Sequence, residues 1–196
     1  MLDPMPTWGL LAILAVGAVT AWLYNRVIAL RQRARAAWSD IDVQLKRRWD
    51  LVPALTAAVK GYMAHESGTL ERVVQARQRA MAAADAGSVA DRGRDEKRLA
   101  AAARGLVAVV EDYPDLKASG QFLELQKSLV EIENTLQHAR RYFNAVVRDY
   151  NVLIATFPTL LLTTVFRFAP LEFFQLEDDD ERAVPRVDVG DARETP

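Results

Sequence analysis

His65 and His138 are the only histidines in a chain of 196 residues that has no cysteine. Imidazole chemistry is therefore scarce, and disulfides, thiolate zinc sites and cysteine nucleophiles are excluded. His65-Glu66 opens like a zinc-binding helix motif, but the position four residues after the histidine is Thr69, so the second ligand is missing. A histidine beside the last carbonyls of a helix is the better reading. His138 adjoins the apolar residue Ala139 and reads as a solvated flank. Glu124, Glu131 and Glu133 have the type, but not the setting, of a carboxylate-bridged metal bundle. Such bundles need inward Glu-x-x-His motifs from facing helices, and no Glu-x-x-His occurs. Asp178-Asp179-Asp180-Glu181 lacks the alternating ligands and central glycine of a calcium loop. Lys46-Arg47-Arg48, flanked by Asp42 and Asp50, reads as a solvated helix face paired at i, i+4. No glycine-rich phosphate loop or nucleophile elbow is present. The expectation is no catalytic residue, no metal ligand and no cofactor.

The elements that carry these residues are helical in pattern. Hydrophobic residues make up 51% of the chain, many of them alanine, with 9 glycines and 8 prolines. That composition suits helices and is poor in turn residues. From Pro4 to Asn25 no residue is charged. The stretch Trp8–Tyr24 would span about 26 Å as a helix, close to the ~30 Å of a bilayer core. Trp8 stands at one end, Trp22 and Tyr24 at the other, as in an interfacial aromatic belt. Leu11 and Leu14 lie within it and complete the expected anchor. A cleaved signal peptide would need a basic start, where only Asp3 and the α-amino group stand, and a small-residue cleavage site followed by a new start, whereas the helical pattern runs straight on through Val27 and Leu30. Arg26, Arg31, Arg33 and Arg35 follow the span at once. The positive-inside rule then places the remainder in the cytoplasm and a short N-terminus outside; a periplasmic bundle is the alternative.

Beyond the span the period stays helical. Trp38, Leu45, Val52 and Val59 are seven apart; Val27, Ala34, Ile41, Leu55 and Tyr62 form a companion row that Arg48 interrupts. Pro53 falls inside, and because the stripe keeps its phase, one kinked helix is expected. Shorter helices are expected over about 69–84 and 91–112, separated by a polar loop at 85–93. A long one is expected over about 118–157. Its rows are Phe122, Leu129, Leu136, Phe143, Tyr150, Phe157 and Leu125, Ile132, Ala139, Val146, Leu153, a sustained coiled-coil-like seam. The fold class expected is all-α: a transmembrane helix followed by an antiparallel, up-down four-helix bundle. The division is a tail and span over 1–25, a bundle over 26–157, an apolar membrane-proximal segment over 158–176 and an acidic tail over 177–196.

Several blocks resemble the LemA family. They are AWSDIDVQLKRRWDLVPALTAAVKGYMAHE (37–66), YPDLKASGQFLEL (113–125), RRYFNAVVRDYNVLIATF (140–157) and the PLEFFQLEDDDERAVPRVDV end (170–189). The resemblance covers about residues 23–189 in order. It implies a bacterial membrane protein with one N-terminal span and an antiparallel bundle, and brings no agreed catalytic residues. Trp49 stands where small or polar residues are usual in that family, and Gly120 where asparagine is.

Charge sets the remaining bounds. There are 25 basic and 26 acidic side chains, a net of −1, so a general nucleic-acid binder is not expected. The reading is a single-pass, membrane-anchored scaffold; an enzyme or subunit acting on a membrane or envelope substrate is the alternative. The partners expected are the bilayer, an unidentified membrane-associated protein, and further copies of the chain. The short middle helices cannot run the whole bundle, leaving a stalk of residues 26–42 and 143–157. Apolar Phe143, Val146, Tyr150, Leu153 and Phe157 on that stalk suggest self-association, unless residues 158–176 fold back over them. Within that segment Phe166, Arg167, Phe168, Phe173 and Phe174 are expected to meet the membrane surface, or else to cap the bottom of the stalk or meet another subunit.

Overall fold

The computed structural model describes residues 7–63, 66–86 and 88–174. Described residues form six helices and no strand: α1 (Thr7–Lys60), α2 (Ser67–Ala86), α3 (Val89–Val110), α4 (Pro114–Lys117), α5 (Gly120–Ala155) and α6 (Thr159–Phe166). The fold is all-α, with an apolar N-terminal helix that continues into a bundle. His65 and the acidic run 178–181 lie outside the described residues, as does the whole of the tail 177–196.

α1 is one helix of 54 residues, about 80 Å at 1.5 Å per residue. Its seam is the one that the sequence pattern implies. Val27, Ala34, Ile41 and Leu55 are buried, as are Leu45, Val52 and Val59. Tyr62 is exposed because the helix has already ended at Lys60. On α5 the row Phe122, Leu129, Leu136, Phe143 and Tyr150 is buried, while Phe157, past the helix end, is exposed. α1 and α5 pack against each other along their length, and α2 pairs with α3. Two clusters fill the centre. The distal one joins Val52, Leu55 and Val59 to Val73, Leu99, Leu106, Leu116 and Phe122. The proximal one joins Ala34, Ile41 and Leu45 to Leu136, Phe143 and Val147.

Local signals fix the ends. α3 starts in a capping box. The Ser88 hydroxyl accepts from the Asp91 N–H at 3.1 Å and the Asp91 carboxylate accepts from the Ser88 N–H at 3.4 Å. These hydrogen bonds hold the exposed Asp91 carboxyl below its ordinary range. Pro114 sits at the start of α4, where its missing N–H costs nothing. The short α4 separates α3 from α5, so the last long helix begins at Gly120.

The turn between α2 and α3 reaches the level of Trp38, where Val89 packs on the proximal cluster. Toward the apolar N-terminal end of α1, neither α2 nor α3 covers α1 and α5 among the described residues. The chain covers them itself, with an extended strap over residues 168–174. The Asn151 amide donates to the Leu171 carbonyl and accepts from the Leu171 N–H, both at 2.9 Å. Asn144 does the same for Phe174 at 3.2 and 3.0 Å. Seven residues of helix advance about 10.5 Å and three extended residues about 10 Å, so two asparagines one heptad apart match the strap. The Tyr150 hydroxyl donates to the Ala169 carbonyl at 3.2 Å. Phe174 is fully buried, edge-on to Trp38 at 5.3 Å. Phe174 thus packs on the stalk's own apolar seam, the packing alternative for this segment, and within this chain offers no surface for lipid or another subunit. The strap packs with Phe143, Val146 and Tyr150 of the stalk surface that suggested self-association, while Phe157 stays exposed.

Replacing both asparagines by alanine should release the strap while the distal cluster stays intact. Hydrogen exchange should show amides 168–174 losing protection, with α2 and α3 unchanged and a stability loss of about 1–3 kcal/mol. Unchanged protection of Leu171 and Phe174 would contradict the clamp.

Candidate functional site

The interruption in the α1 seam is the centre of the polar structure. Arg48 holds the heptad position between Ile41 and Leu55, and its phase points it inward. It is fully buried. Its Nη1 donates to Glu133 Oε1 of α5 at 2.6 Å, and its Nη2 is bonded to Glu96 Oε2 of α3. The second oxygen of Glu96 accepts from the Trp49 indole at 2.8 Å. Arg48 is therefore a cross-helix ion pair; the solvated face expected for Lys46-Arg47-Arg48 is corrected at its third member.

Pro53 explains the fourth connection. A proline has no N–H, so the carbonyl four residues earlier loses its helical donor. That carbonyl belongs to Trp49, and Arg77 of α2 supplies the missing hydrogen bond from Nε at 2.7 Å. One turn of α1 is thus tied to α2, α3 and α5 at a single level. A second pair lies toward the membrane: Arg92 of α3 meets Asp42 of α1 at 2.5 Å and stacks over Trp38 at 5.1 Å. Burial pushes the Glu96 carboxyl above its ordinary value, against the opposing pull of Arg48 and Trp49. Asp42 is raised for the same reason, against Arg92.

Of the suspected metal carboxylates, Glu133 enters this node, while Glu124 and Glu131 are exposed. His138 is exposed and its Nδ1 lies 3.2 Å from Arg141 Nη2. Among the described residues no cluster of three or more metal-ligating side chains forms. The node's geometry is that of a neutralised, interlocked core: both carboxylates are engaged by donors of the same chain. Trp49, one of the two departures from the family pattern, is part of it. Gly120, the other, opens α5 with open space where a side chain would be.

The residues of the expected anchor lie apart from this core. Trp8, Leu11, Leu14 and Trp22 are exposed, and Tyr24 borders on it. Within the described residues, α1 carries the only single helix long and apolar enough to cross a membrane. Residues 37–189 match the LemA family. The chain belongs to the LemA family. It is also 25% identical to the magnetosome protein MamQ of Magnetospirillum gryphiswaldense, over 77% of this chain and 64% of that protein. It is 25% identical to magnetosome proteins MamQ 1 and MamQ 2 of Paramagnetospirillum magneticum, over 88% of this chain and 73% of each. The chain thus spans just under two thirds of the first of these relatives. The family match includes α1 from Ala37 onward with its Arg48 and Trp49, and all of α2 to α6.

Arg48→Met should cost about 3–5 kcal/mol in denaturant unfolding, because it leaves Glu96 buried without its cation. Without Arg48 the folded-state pKa of Glu96 rises further above its unfolded value. Stability is then lost as pH rises through that interval, so the deficit should shrink on acidification. Adding Glu96→Leu should recover most of the loss at neutral pH. Additive single effects would contradict a coupled pair.

Proposed function

We propose that this LemA-family protein is a non-catalytic, single-pass membrane scaffold that holds a helical head above the bilayer for other proteins to bind. The observation that carries this reading is the continuity of α1, which leaves the apolar segment and enters the bundle core without a break. From Arg26 to Lys60 the helix rises about 50 Å. A helix that is both anchor and central strut transmits the position of the membrane to the head. A cleaved leader would take away part of this same helix. The engaged state of the buried carboxylates supports a structural role for them. The relatives are named for a compartment, the magnetosome, which supports the membrane-associated part of this reading.

The positive-inside rule puts the head in the bacterial cytoplasm, since Arg26, Arg31, Arg33 and Arg35 follow the span. The full chain should resist alkaline extraction of membranes. A cysteine introduced at the exposed Gln137 should be refractory to an impermeant maleimide in intact spheroplasts and react after permeabilisation. Labelling in intact spheroplasts would put the head on the outer side.

A further inference from the structure

We propose that α6 is a second membrane attachment, an interfacial helix seated in the leaflet from which α1 emerges. The proposal rests on the anchored reading above and adds a contact to it. Orientation supports it first. α6 meets α5 at 92°, and α5 runs antiparallel along α1. When α1 stands upright in the bilayer, α6 lies flat in its plane.

Level is the second support. The Phe166 ring lies 5.0 Å from that of Tyr24, and Phe168 lies 5.9 Å from it. Tyr24 closes the apolar stretch of α1, one residue before Asn25 and two before Arg26. α6 therefore sits where hydrocarbon gives way to headgroups, continuous with the apolar surface of the span.

Its chemistry suits that depth. TLLLTTVF contains no charged side chain. The Thr163 and Thr164 hydroxyls both donate to the Leu160 carbonyl, at 2.8 and 3.1 Å, so neither depends on water for its donor. Thr159 faces the bundle and is buried. The outward side carries Leu160, Leu161 and Val165, with Phe157 just before the helix; Val165 is 73% and Phe157 79% exposed. An apolar face of this kind is unfavourable in water and is removed from it at the headgroup–acyl boundary. A basic group ends the helix, and others lie on the neighbouring part of α1 and α5. Arg167 caps α6 in the left-handed region (φ 53°), where the chain turns back into the strap. Arg26, Arg33 and Arg148 line one groove between α1 and α5, together with Asp149. Of these, Arg26, two residues beyond Tyr24, and Arg167 are placed for long basic side chains to reach lipid phosphates while their stems stay apolar.

The test uses the full chain, which has no native cysteine, in nanodiscs with brominated acyl chains. Single variants Val16→Cys, Val165→Cys and Gln137→Cys carry an environment-sensitive fluorophore. The proposal expects strong quenching at positions 16 and 165 and none at 137. Quenching at 16 but not at 165 overturns the proposal and leaves the anchor standing. No quenching at 16 overturns the anchored reading itself, and the α6 proposal with it. A blue-shifted but unquenched label at 165 would mean that protein, such as a second copy, covers α6, and would also overturn the proposal.

Discussion

A guanidinium taken fully out of water must be neutralised by groups that other elements bring to it. Arg48 imposes that condition at the middle of the bundle. It can be met only when α3 presents Glu96 and α5 presents Glu133 at the same height. Apolar seams tolerate sliding, because one leucine row fits another after a heptad slip. A buried ion pair does not, since a slip would leave charge without a partner at a cost of several kcal/mol. The Trp49 carbonyl orphaned by Pro53 adds the same demand on α2. The four long helices are held in register at one turn of α1, and the packing clusters above and below follow from that alignment.

The membrane end obeys a different constraint. There α2 and α3 no longer reach α1 and α5, and a two-helix contact cannot cover both seams. The chain resolves this by folding its own C-terminal continuation back along the stalk. Asparagine amides serve the strap as a neighbouring strand would, donating and accepting at one residue. The buried Phe174 and the exposed α6 are two outcomes for one apolar segment. The part that meets the stalk is covered by it, and the part turned across the stalk's foot keeps its apolar side outward.

Much of the architecture was legible from spacing. The heptad rows on α1 and α5 gave the pairing, and the uncharged run before Arg26 gave the long apolar start of α1. The role of Arg48 was harder to read. Its position in the row 27–34–41–48–55 already pointed inward, but a basic triplet flanked by aspartates has the composition of a solvated face. Glu96 sits within a charge-rich stretch, DRGRDEKR, that gives no hint of burial. Its pairing with Arg48 is a tertiary fact, 48 residues away in sequence. The Ser88–Asp91 box was present in the sequence as a serine three before an acid, within what read as a loop. The strap had a weaker signal, two asparagines one heptad apart on an otherwise apolar flank.

The central claim is that the Arg48 node selects one register among packings that the seams alone would allow. Distances between α3 and α5 test it directly. Spin labels at the exposed positions Ala101 and Lys127 can be compared in the native chain and in a variant carrying Arg48→Met, Glu96→Leu and Glu133→Leu. Pulsed electron resonance should give one narrow distance for the native node. The apolar variant should remain helical and give a broadened or multiple distribution. A distribution as narrow as the native one, at the same distance, would show that the seams suffice and would contradict the account.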